Sequence, residues 1–326
     1  MLTVYCLTPA GLKRLEREPQ APLPEEALWL DLLEPTVEEE RQVEARLGIE
    51  VPTREEMGEI EYSNRLYEEN GALYLTATVV TRLDSDLPEN AQVTFILKDS
   101  RIVTNRYVNP LPLQRFANYI ERHPTSHNSA PAVLAGIIES IVERIADVIE
   151  RVSRDMDACS AEVFSRERRT DGHRKSQRDF RRLLERTGQS GELIAKARES
   201  LAGLARLLAF VQQSSINLPQ DVRTRLRTLS KDVVAMSDHA IFLSSNLNFV
   251  LDATLGLINI DQNNILKIFS VVTVFLLPPS VIAGIFGMNF QSIPTLHSPW
   301  GFSAALVLMV VSAVVPWLIF KRRGWL

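Results

Sequence analysis

The residues with the clearest chemical role are hydroxyls in an apolar stretch near the C-terminus. Ser270, Thr273 and Ser280 are three and seven positions apart, which places them along one side of a helix. Between Ile268 and Phe320 there is no Asp, Glu, Lys or Arg. Hydroxyls aligned on an otherwise apolar helix are typical of a surface that contacts water and passing ions, rather than of a site that makes or breaks bonds.

A longer row of polar and small residues extends this alignment in both directions, and we call it the polar stripe. In steps of three and four residues it comprises Asp252, Gly256, Asn259, Asn263, Leu266, Ser270, Thr273, Leu277, Ser280 and Gly284. The two leucines would form apolar constrictions in a water-filled path. Small and hydroxyl residues also serve close packing between membrane helices, but the aspartate and asparagines in register favour a lining. Because two helices cannot enclose a pore, the stripe predicts a homo-oligomer.

The charge-free stretch contains two segments that can cross a membrane. They predict a transmembrane hairpin over residues 266–326, with spans at about 266–289 and 301–320, because a helix needs about 20 apolar residues to cross a bilayer. A buried hydrophobic hairpin in a soluble core is the alternative, which two adjacent full-length spans disfavour. Pro278 and Pro279 lie inside the first span, where they remove two backbone donors and predict a kink or a hydrated bulge.

Basic residues give the orientation of the hairpin. Lys267 precedes the first span and Lys321–Arg323 follow the second, whereas the connecting loop has no basic residue. Positive residues favour the cytoplasmic side, so both termini are expected in the cytoplasm. The N-terminus lacks the pattern of a signal peptide, which agrees with a cytoplasmic soluble portion. Three tryptophans near the span ends fit aromatic belts, namely Trp300, Trp317 and Trp325.

Residues 1–130 predict a cytoplasmic α/β domain. Thr36–Leu47 has the pattern of an amphipathic helix that opens with a capping box of Thr36 and Glu39. Asp99-Ser100 is expected to form a tight hairpin turn, and Leu28–Leu33 suits either a strand or a helix. Runs rich in Val, Ile, Thr and Tyr predict strands at Leu2–Leu7, Leu73–Arg82, Gln92–Lys98 and Arg101–Tyr107.

Residues 131–265 predict a stalk made only of helices. Ala132–Arg168 and Gln177–Gln213 have apolar residues at helical spacing and are separated by a polar break at 170–175. A third helix is expected to start at Pro219 and to run to Asn289, a length on the order of 105 Å at about 1.5 Å per residue. Such a helix would link the cytoplasmic portion to the membrane pathway.

Several functional classes are not supported by the sequence. The net charge of −4 offers no overall basic face for nucleic acid. Cys6 and Cys159 are isolated, so neither a disulfide framework nor a cysteine zinc site is expected. The sequence has no nucleophile–base arrangement and no phosphate-binding glycine loop, so an enzyme is not expected. His123 and His127 are four positions apart, but Pro124 interrupts the helix that would align them on a metal.

A short motif lies immediately after the first span. Gly287-Met288-Asn289 stands where a two-span hairpin, cytoplasmic termini and a long preceding helix meet. On this motif the chain resembles the two-span CorA/ZntB superfamily of divalent-cation transporters, whose signature is Gly-x-Asn at the outer end of the first span. The similarity extends over residues 278–290, PPSVIAGIFGMNF, and the tail 320–326, FKRRGWL, is similar to the family's basic Trp-Leu terminus. The order of the domains agrees with the family over the whole chain.

The resemblance implies an α+β membrane protein in the bacterial inner membrane. Its N-terminal α/β cytoplasmic domain, long helical stalk and two C-terminal transmembrane helices would assemble as a funnel-shaped homopentamer, with the first span lining the pore and the second outside it. Asn289, with Gly287 and Met288, would form the outer selectivity filter. Its carbonyls would hold Mg²⁺ through hydration water, which this ion gives up reluctantly. Asp252 would form an acidic ring at the cytoplasmic mouth.

Some positions differ from the pattern of the family. The loop at 290–300, FQSIPTLHSPW, has no carboxylate where the family usually has an acidic loop. His297 in this loop would contribute one Zn²⁺ ligand from each subunit. Leu266 and Leu277 stand where some members have methionine, and Asp261 stands where a basic residue is common. These differences move the sequence part of the way toward the ZntB branch.

Three functions follow from these observations. The first is passive influx of Mg²⁺ through a pentameric pore, the second is proton-coupled Zn²⁺ transport of the ZntB type, and the third is a non-conducting membrane-anchored scaffold. Mg²⁺ is expected as substrate and as a regulator, with Zn²⁺ or Co²⁺ as other substrates, and no cofactor is expected. The expected partners are further copies of the chain, the lipid bilayer and divalent cations, but not nucleic acid.

Overall fold

The architecture is that of a computed structural model, which describes residues 1–16, 21–82, 88–164, 177–288 and 300–323. The chain divides into two units, Met1–Leu251 and Asp252–Leu326. The first unit contains a mixed sheet and most of the helices. The second contains the apolar helical segments.

Seven strands of the first unit form one sheet. They are β1 (Leu2–Thr8), β2 (Gly11–Leu15), β3 (Ala27–Leu33), β4 (Leu66–Glu69), β5 (Ala72–Thr81), β6 (Glu89–Lys98) and β7 (Arg101–Arg106). Their order across the sheet is β2-β1-β3-β7-β6-β5-β4, and β3 and β7 pair in parallel while the other neighbours are antiparallel. The central strands are almost continuously buried, as expected when both faces of a sheet are covered.

Seven α-helices complete the described part of the chain. They are α1 (Val37–Leu47), α2 (Arg54–Met57), α3 (Leu111–Arg122), α4 (Ala130–Phe164), α5 (Gln177–Gln213), α6 (Gln220–Phe286) and α7 (Gly301–Arg322). Val43 and Leu47 of α1 pack with Val4, Leu30 and Tyr74 on one side of the sheet. Ser200 of α5 donates a hydrogen bond of 2.5 Å to the buried carbonyl of Thr78 in β5, which fixes this helix against the sheet.

The predicted strands are confirmed, and Leu28–Leu33 belongs to a strand. The two-residue turn at Asp99-Ser100 joins β6 and β7, and Asp99 has a φ of 53°, as the tight hairpin turn requires. The capping box is also present, because the Thr36 Oγ1 accepts from the Glu39 amide at 3.3 Å and the Glu39 Oε2 accepts from the Thr36 amide at 3.0 Å.

Strands β2 and β4 were not predicted, and both lie at the edges of the sheet. Their outer residues are exposed and charged, with Lys13 and Arg14 on β2 and Glu68 and Glu69 on β4. An edge strand is covered on fewer sides than a central strand, so it lacks the run of apolar residues that marks a strand in a sequence. Helices α2 and α3 were also not predicted.

The three long helices confirm the helical prediction for the region after residue 130. Helix α5 has the predicted bounds, and α4 begins two residues before its predicted start. The predicted polar break at 170–175 lies outside the described residues. Helix α6 begins directly after Pro219 and continues without interruption to Phe286, through Pro278 and Pro279.

Within the first unit, α6 buries one face along its length. The buried residues recur at intervals of three, four and seven: Val222, Leu226, Leu229, Val233, Ala240, Leu243, Leu247 and Val250. This is the spacing of a coiled-coil seam. The long helix is therefore held by regular packing along one side of its N-terminal portion.

A buried ion pair joins the two parallel strands at the centre of the sheet. Arg106 donates to both carboxylate oxygens of Asp31, at 3.0 and 2.7 Å, and the side chains are only 7% and 9% exposed. The Thr104 hydroxyl donates to the same carboxylate at 2.5 Å and accepts from Trp29 Nε1 at 3.1 Å. Arg106 also donates to Asn109 Oδ1 at 2.6 Å. Both charges are therefore compensated inside the sheet.

Replacing Arg106 by Met should destabilise the protein by about 3 kcal/mol, because it leaves the Asp31 carboxylate buried without its charged partner. The free energy of unfolding would be measured by urea denaturation of the full chain in detergent, followed by circular dichroism. Arg46→Met is the control, since Arg46 pairs with Glu25 at 3.6 Å on the surface and such pairs contribute less than about 1 kcal/mol. Equal losses in the two variants would contradict the central role of the buried pair.

Candidate ion pathway

The second unit provides two helices that are long and apolar enough to cross a membrane. They are the C-terminal part of α6 and the whole of α7. Helix α7 ends in Lys321 and Arg322, and the ammonium group of Lys321 lies 4.9 Å from the centre of the Trp317 ring. An aromatic ring beside a lysine at the end of an apolar helix is typical of a membrane interface. The predicted helical spans are therefore present as helices.

Each of these helices has one sheltered side. On α6 the half-buried residues are Val271, Val274, Phe275, Pro278, Pro279, Ile282 and Phe286. On α7 the more covered positions are Gly301, Ala305, Met309, Ser312, Ala313, Pro316 and Phe320. Both sets recur at helical spacing, so each helix presents one face to protein and leaves the rest open.

The polar stripe lies on the open side of α6. Its residues from Leu266 to Gly284 are all exposed, and at about 100° per residue they are centred roughly 150° around the helix from the sheltered residues. Apolar residues between the two sides, such as Leu276 and Val281, are exposed as well. Exposure therefore does not distinguish the stripe from a lipid-facing surface. Its position opposite the sheltered side is what agrees with a lining.

The hydroxyls of the stripe are oriented by the helix itself. Thr273 Oγ1 donates to the Phe269 carbonyl at 2.8 Å, and Ser280 Oγ donates to the Leu276 carbonyl at 2.7 Å. Each hydroxyl thus uses its proton within the helix and keeps oxygen lone pairs for outside donors. Water molecules of a hydrated cation point their protons outward, so an oxygen acceptor is the suitable contact for them.

The apolar members of the stripe are the leucines predicted as constrictions. Leu266 is 62% exposed and Leu277 is 59% exposed in the single chain. If several copies surround an axis, leucines at the same position can contact one another there. A ring of such apolar side chains narrows a pore and excludes water from it. Asp252, Asn259 and Asn263 are exposed at the N-terminal end of the stripe, where Gly256 is half-buried.

The first two residues of the Gly-Met-Asn motif follow the end of α6. The Gly287 amide donates to the Ala283 carbonyl at 2.9 Å, and a Cβ at position 287 would lie 3.1 Å from that same oxygen. Met288 is about half exposed. Asn289 and His297 lie outside the described residues, as does Trp325, so their predicted roles stay predictions. In the described ranges no three His, Cys, Asp or Glu side chains come together as a metal site.

A cluster at the beginning of α6 was not anticipated from the sequence. Arg225 of α6 forms an ion pair with Glu139 of α4 and donates to His127 Nε2 at 3.2 Å. His127 is buried, and its Nδ1 lies 2.7 Å from Ser126 Oγ. Burial and the nearby Arg225 lower the pKa of His127 to about 4. The partners are almost 100 positions apart, so no local pattern could have joined them.

The two histidines considered as a metal site, His123 and His127, have different surroundings in the structure. His123 is exposed and stacks on Tyr119, with ring centres 4.5 Å apart. His127 is neutral and has both ring nitrogens engaged. A histidine whose nitrogens are already bonded offers no lone pair to a metal, so His127 is best described as an anchor for the helix that carries the stripe.

Comparisons with known proteins identify the family and the fold of the chain. A family described as "CorA-like Mg2+ transporter protein" matches residues 24–322. The chain is 32% identical to the magnesium transport proteins CorA of Sodalis glossinidius and of Escherichia coli K12, in each case over the full length of both chains. The structure is similar to that of a CorA magnesium transporter from Methanocaldococcus jannaschii, with a TM-score of 0.77, 20% identity and coverage of 100% of this chain and 99% of the other.

Replacing His127 by Gln should change how stability depends on pH. The pKa of His127 is about 4 in the folded chain against an ordinary value of 6.5, so the unfolded chain binds a proton first as the pH falls. Between pH 6.5 and 4 this proton should lower the free energy of unfolding by up to about 1.4 kcal/mol per pH unit. His127→Gln should remove that contribution, which urea unfolding at several pH values would detect.

His239→Gln is the control for this pH dependence, because His239 is exposed and its ring only stacks on Phe242, with centres 6.2 Å apart. This variant should keep the slope of the original protein. If His127→Gln and His239→Gln had the same slope, His127 would not be the buried neutral group described above.

Proposed function

The chain belongs to the CorA-like Mg²⁺ transporter family, and we propose that it forms a channel through which Mg²⁺ enters the cytoplasm down its electrochemical gradient. The observation that carries this proposal is the polar stripe on the open side of α6, opposite the side that is sheltered by protein. An inward movement of a divalent cation is favourable by about 4.6 kcal/mol at −100 mV, twice the value for a single charge.

The pathway requires several copies of the chain. A single α6 exposes Leu266, Leu277 and the apolar residues beside them, and two helices do not enclose an aqueous path. Closed rotational symmetry brings the same face of each copy to one axis. We expect a homopentamer in which α6 lines the pore and α7 lies outside it. The basic residues that flank the spans, Lys267 and Lys321–Arg323, support a cytoplasmic location for both termini.

The proposed route has three parts. At the outer end a ring of Asn289 carbonyls, shaped by Gly287 and Met288, accepts hydrogen bonds from the water shell of Mg²⁺. Within the span, the hydroxyl oxygens alternate with two rings formed by Leu266 and by Leu277 of all copies. The hydrated ion therefore meets oxygen acceptors and apolar constrictions in turn. At the inner end, a ring of Asp252 carboxylates attracts cations electrostatically.

The composition of the stripe favours passive flow over proton coupling. From Leu266 to Gly284 the stripe contains no titratable side chain, so a proton has no side-chain carrier within the span. Proton-coupled Zn²⁺ transport would have to rely on His297 or on groups outside the membrane. The scaffold alternative is distinguished by the absence of flux.

Purified protein in liposomes should admit Mg²⁺ without a pH gradient, as measured with an entrapped Mg²⁺-sensitive dye. Asn289→Ala should reduce the uptake to the level of empty liposomes, because the outer ring loses its oxygen acceptors. Asn264→Ala is the matched control, since Asn264 lies about 160° from the stripe around α6, and its uptake should equal that of the original protein.

The outcome also separates the three functions. Uptake that increases with an inside-negative potential supports the channel. Absence of Mg²⁺ uptake together with Zn²⁺ uptake that needs a proton gradient would favour the transporter of the ZntB type. Absence of flux for both Mg²⁺ and Zn²⁺ would favour the non-conducting scaffold.

Leu277→Ser should raise Mg²⁺ uptake several-fold, because a hydroxyl in place of an apolar side chain makes the predicted constriction wetter and wider. Leu276→Ser is a closely matched control. Leu276 is 63% exposed and Leu277 is 59% exposed, but the two side chains point about 100° apart around the helix. The rate of dye response in the same liposomes measures both variants. Equal effects at 276 and 277 would contradict the assignment of the stripe as the lining.

A further inference from the structure

The first unit contains a cavity that takes no part in the proposed ion pathway. A cavity of about 790 Å³ lies beyond the end of β7, between the beginnings of α2 and α3 and the side of α4. Three arginines line it, namely Arg54, Arg82 and Arg144. We call it the arginine cavity. Its volume is within the range of about 300–1,000 Å³ found for sites that bind small molecules.

The strongest observation in the arginine cavity is an unsatisfied guanidinium. The Nε of Arg144 is buried and has no hydrogen-bond partner among the described residues. The Arg144 side chain is only 17% exposed, and its ion pair is a long one of 3.7 Å to Asp147. Asp147 is itself half exposed and is shared with Arg115 at 3.6 Å. A buried N–H without an acceptor costs free energy, so an acceptor that reached the Arg144 guanidinium would be stabilising.

A second guanidinium in the cavity, that of Arg54, has no carboxylate partner among the described residues. Arg54 lies over the ring of Tyr107, 5.8 Å from its centre, and forms no ion pair within the part of the chain that the structure describes. Arg82 is paired with Glu89 at 2.8 Å, so this pair is close to neutral. Among the described lining residues Glu34 is the one other carboxylate, and it is exposed. The described lining therefore has three arginines against two glutamates.

The backbone adds to this positive potential. Helix α3 begins at the cavity, and its N-cap Pro110 supplies no side-chain oxygen to the first turn. That turn also has no acidic residue. The N-terminus of a helix of this length attracts anions. The side-chain amide of Gln114 is bonded to the Asn109 carbonyl at 2.8 Å, and so is held near the same mouth.

We propose that the arginine cavity binds a small molecule that carries a phosphate group. Two planar guanidinium groups, of Arg144 and Arg54, present paired N–H donors that match phosphate oxygens, and the open end of α3 adds a favourable dipole. The remaining wall is formed by Tyr107, Val80 and Leu111, which gives space and apolar contact for an organic group attached to the phosphate. Such a site would allow a soluble metabolite to act on the cytoplasmic unit of the channel.

The test is calorimetric titration of the full-length protein in detergent, without divalent ions. The probes are inorganic phosphate and adenosine 5′-monophosphate. We expect saturable binding with one site per chain. Tighter binding of the nucleotide than of phosphate identifies an organic phosphate as the ligand, whereas equal affinities identify the free anion.

Three variants decide whether the arginine cavity is the site. Arg144→Gln and Arg54→Gln should each weaken binding at least tenfold. Arg115→Gln should leave it unchanged, because Arg115 shares Asp147 with Arg144 but does not line the cavity. Arg54 begins a short helix at the surface, so its variant keeps the test valid if Arg144→Gln unfolds. Absence of saturable binding, or binding that neither variant at 144 nor 54 weakens, would overturn the proposal.

Discussion

The rest of the molecule depends on one constraint, which is the cost of placing polar groups in hydrocarbon. From Ile268 to Phe320 the chain has no charged side chain, yet α6 carries Ser270, Thr273 and Ser280 along one line. Thr273 and Ser280 use their protons within the helix, but in lipid the hydroxyl oxygens would have no donor outside it, which costs free energy. The cost disappears if the line faces water, and water can enter only if several copies surround it. In the proposed channel, oligomerisation, the position of α7 away from the axis and the aqueous lining are consequences of the same solvent requirement.

Helix α6 is the element on which both units depend. In the first unit its buried residues recur at the spacing of a coiled-coil seam, and in the second the polar stripe recurs at the same spacing of three and four. Both rows follow a seven-residue repeat, which on a straight α-helix drifts by about 20° per repeat. The cluster of Arg225, Glu139 and His127 fixes the beginning of the helix. In this cluster Arg225 donates to Nε2 of the neutral imidazole, and the other ring nitrogen is bonded to Ser126.

Much of this arrangement could be predicted from the sequence, because it depends on local periodicity. The bounds of α5, the capping box of α1, the hairpin turn at Asp99-Ser100 and the spans all follow from residues that are close together in the chain. The edge strands β2 and β4 could not, since their exposed charges hide the alternation of a strand. Neither could the contacts between Asp31 and Arg106, or between His127 and Arg225, which join residues far apart and depend on how the helices and strands pack. The same limit applies to the arginine cavity, whose lining comes from six separate segments.

The two edges of the sheet have a consequence for how the protein is made. The first unit precedes the apolar helices in the chain, so the sheet can fold during synthesis before those helices are made. During that interval its edges are open to other nascent chains. Lysine and arginine on β2 and two glutamates on β4 place a charge at each open edge, and two copies approaching through the same edge would repel each other. The charges that conceal these strands in the sequence thus disfavour pairing between like edges, and among edge contacts they leave only that of β2 in one copy with β4 in another unopposed.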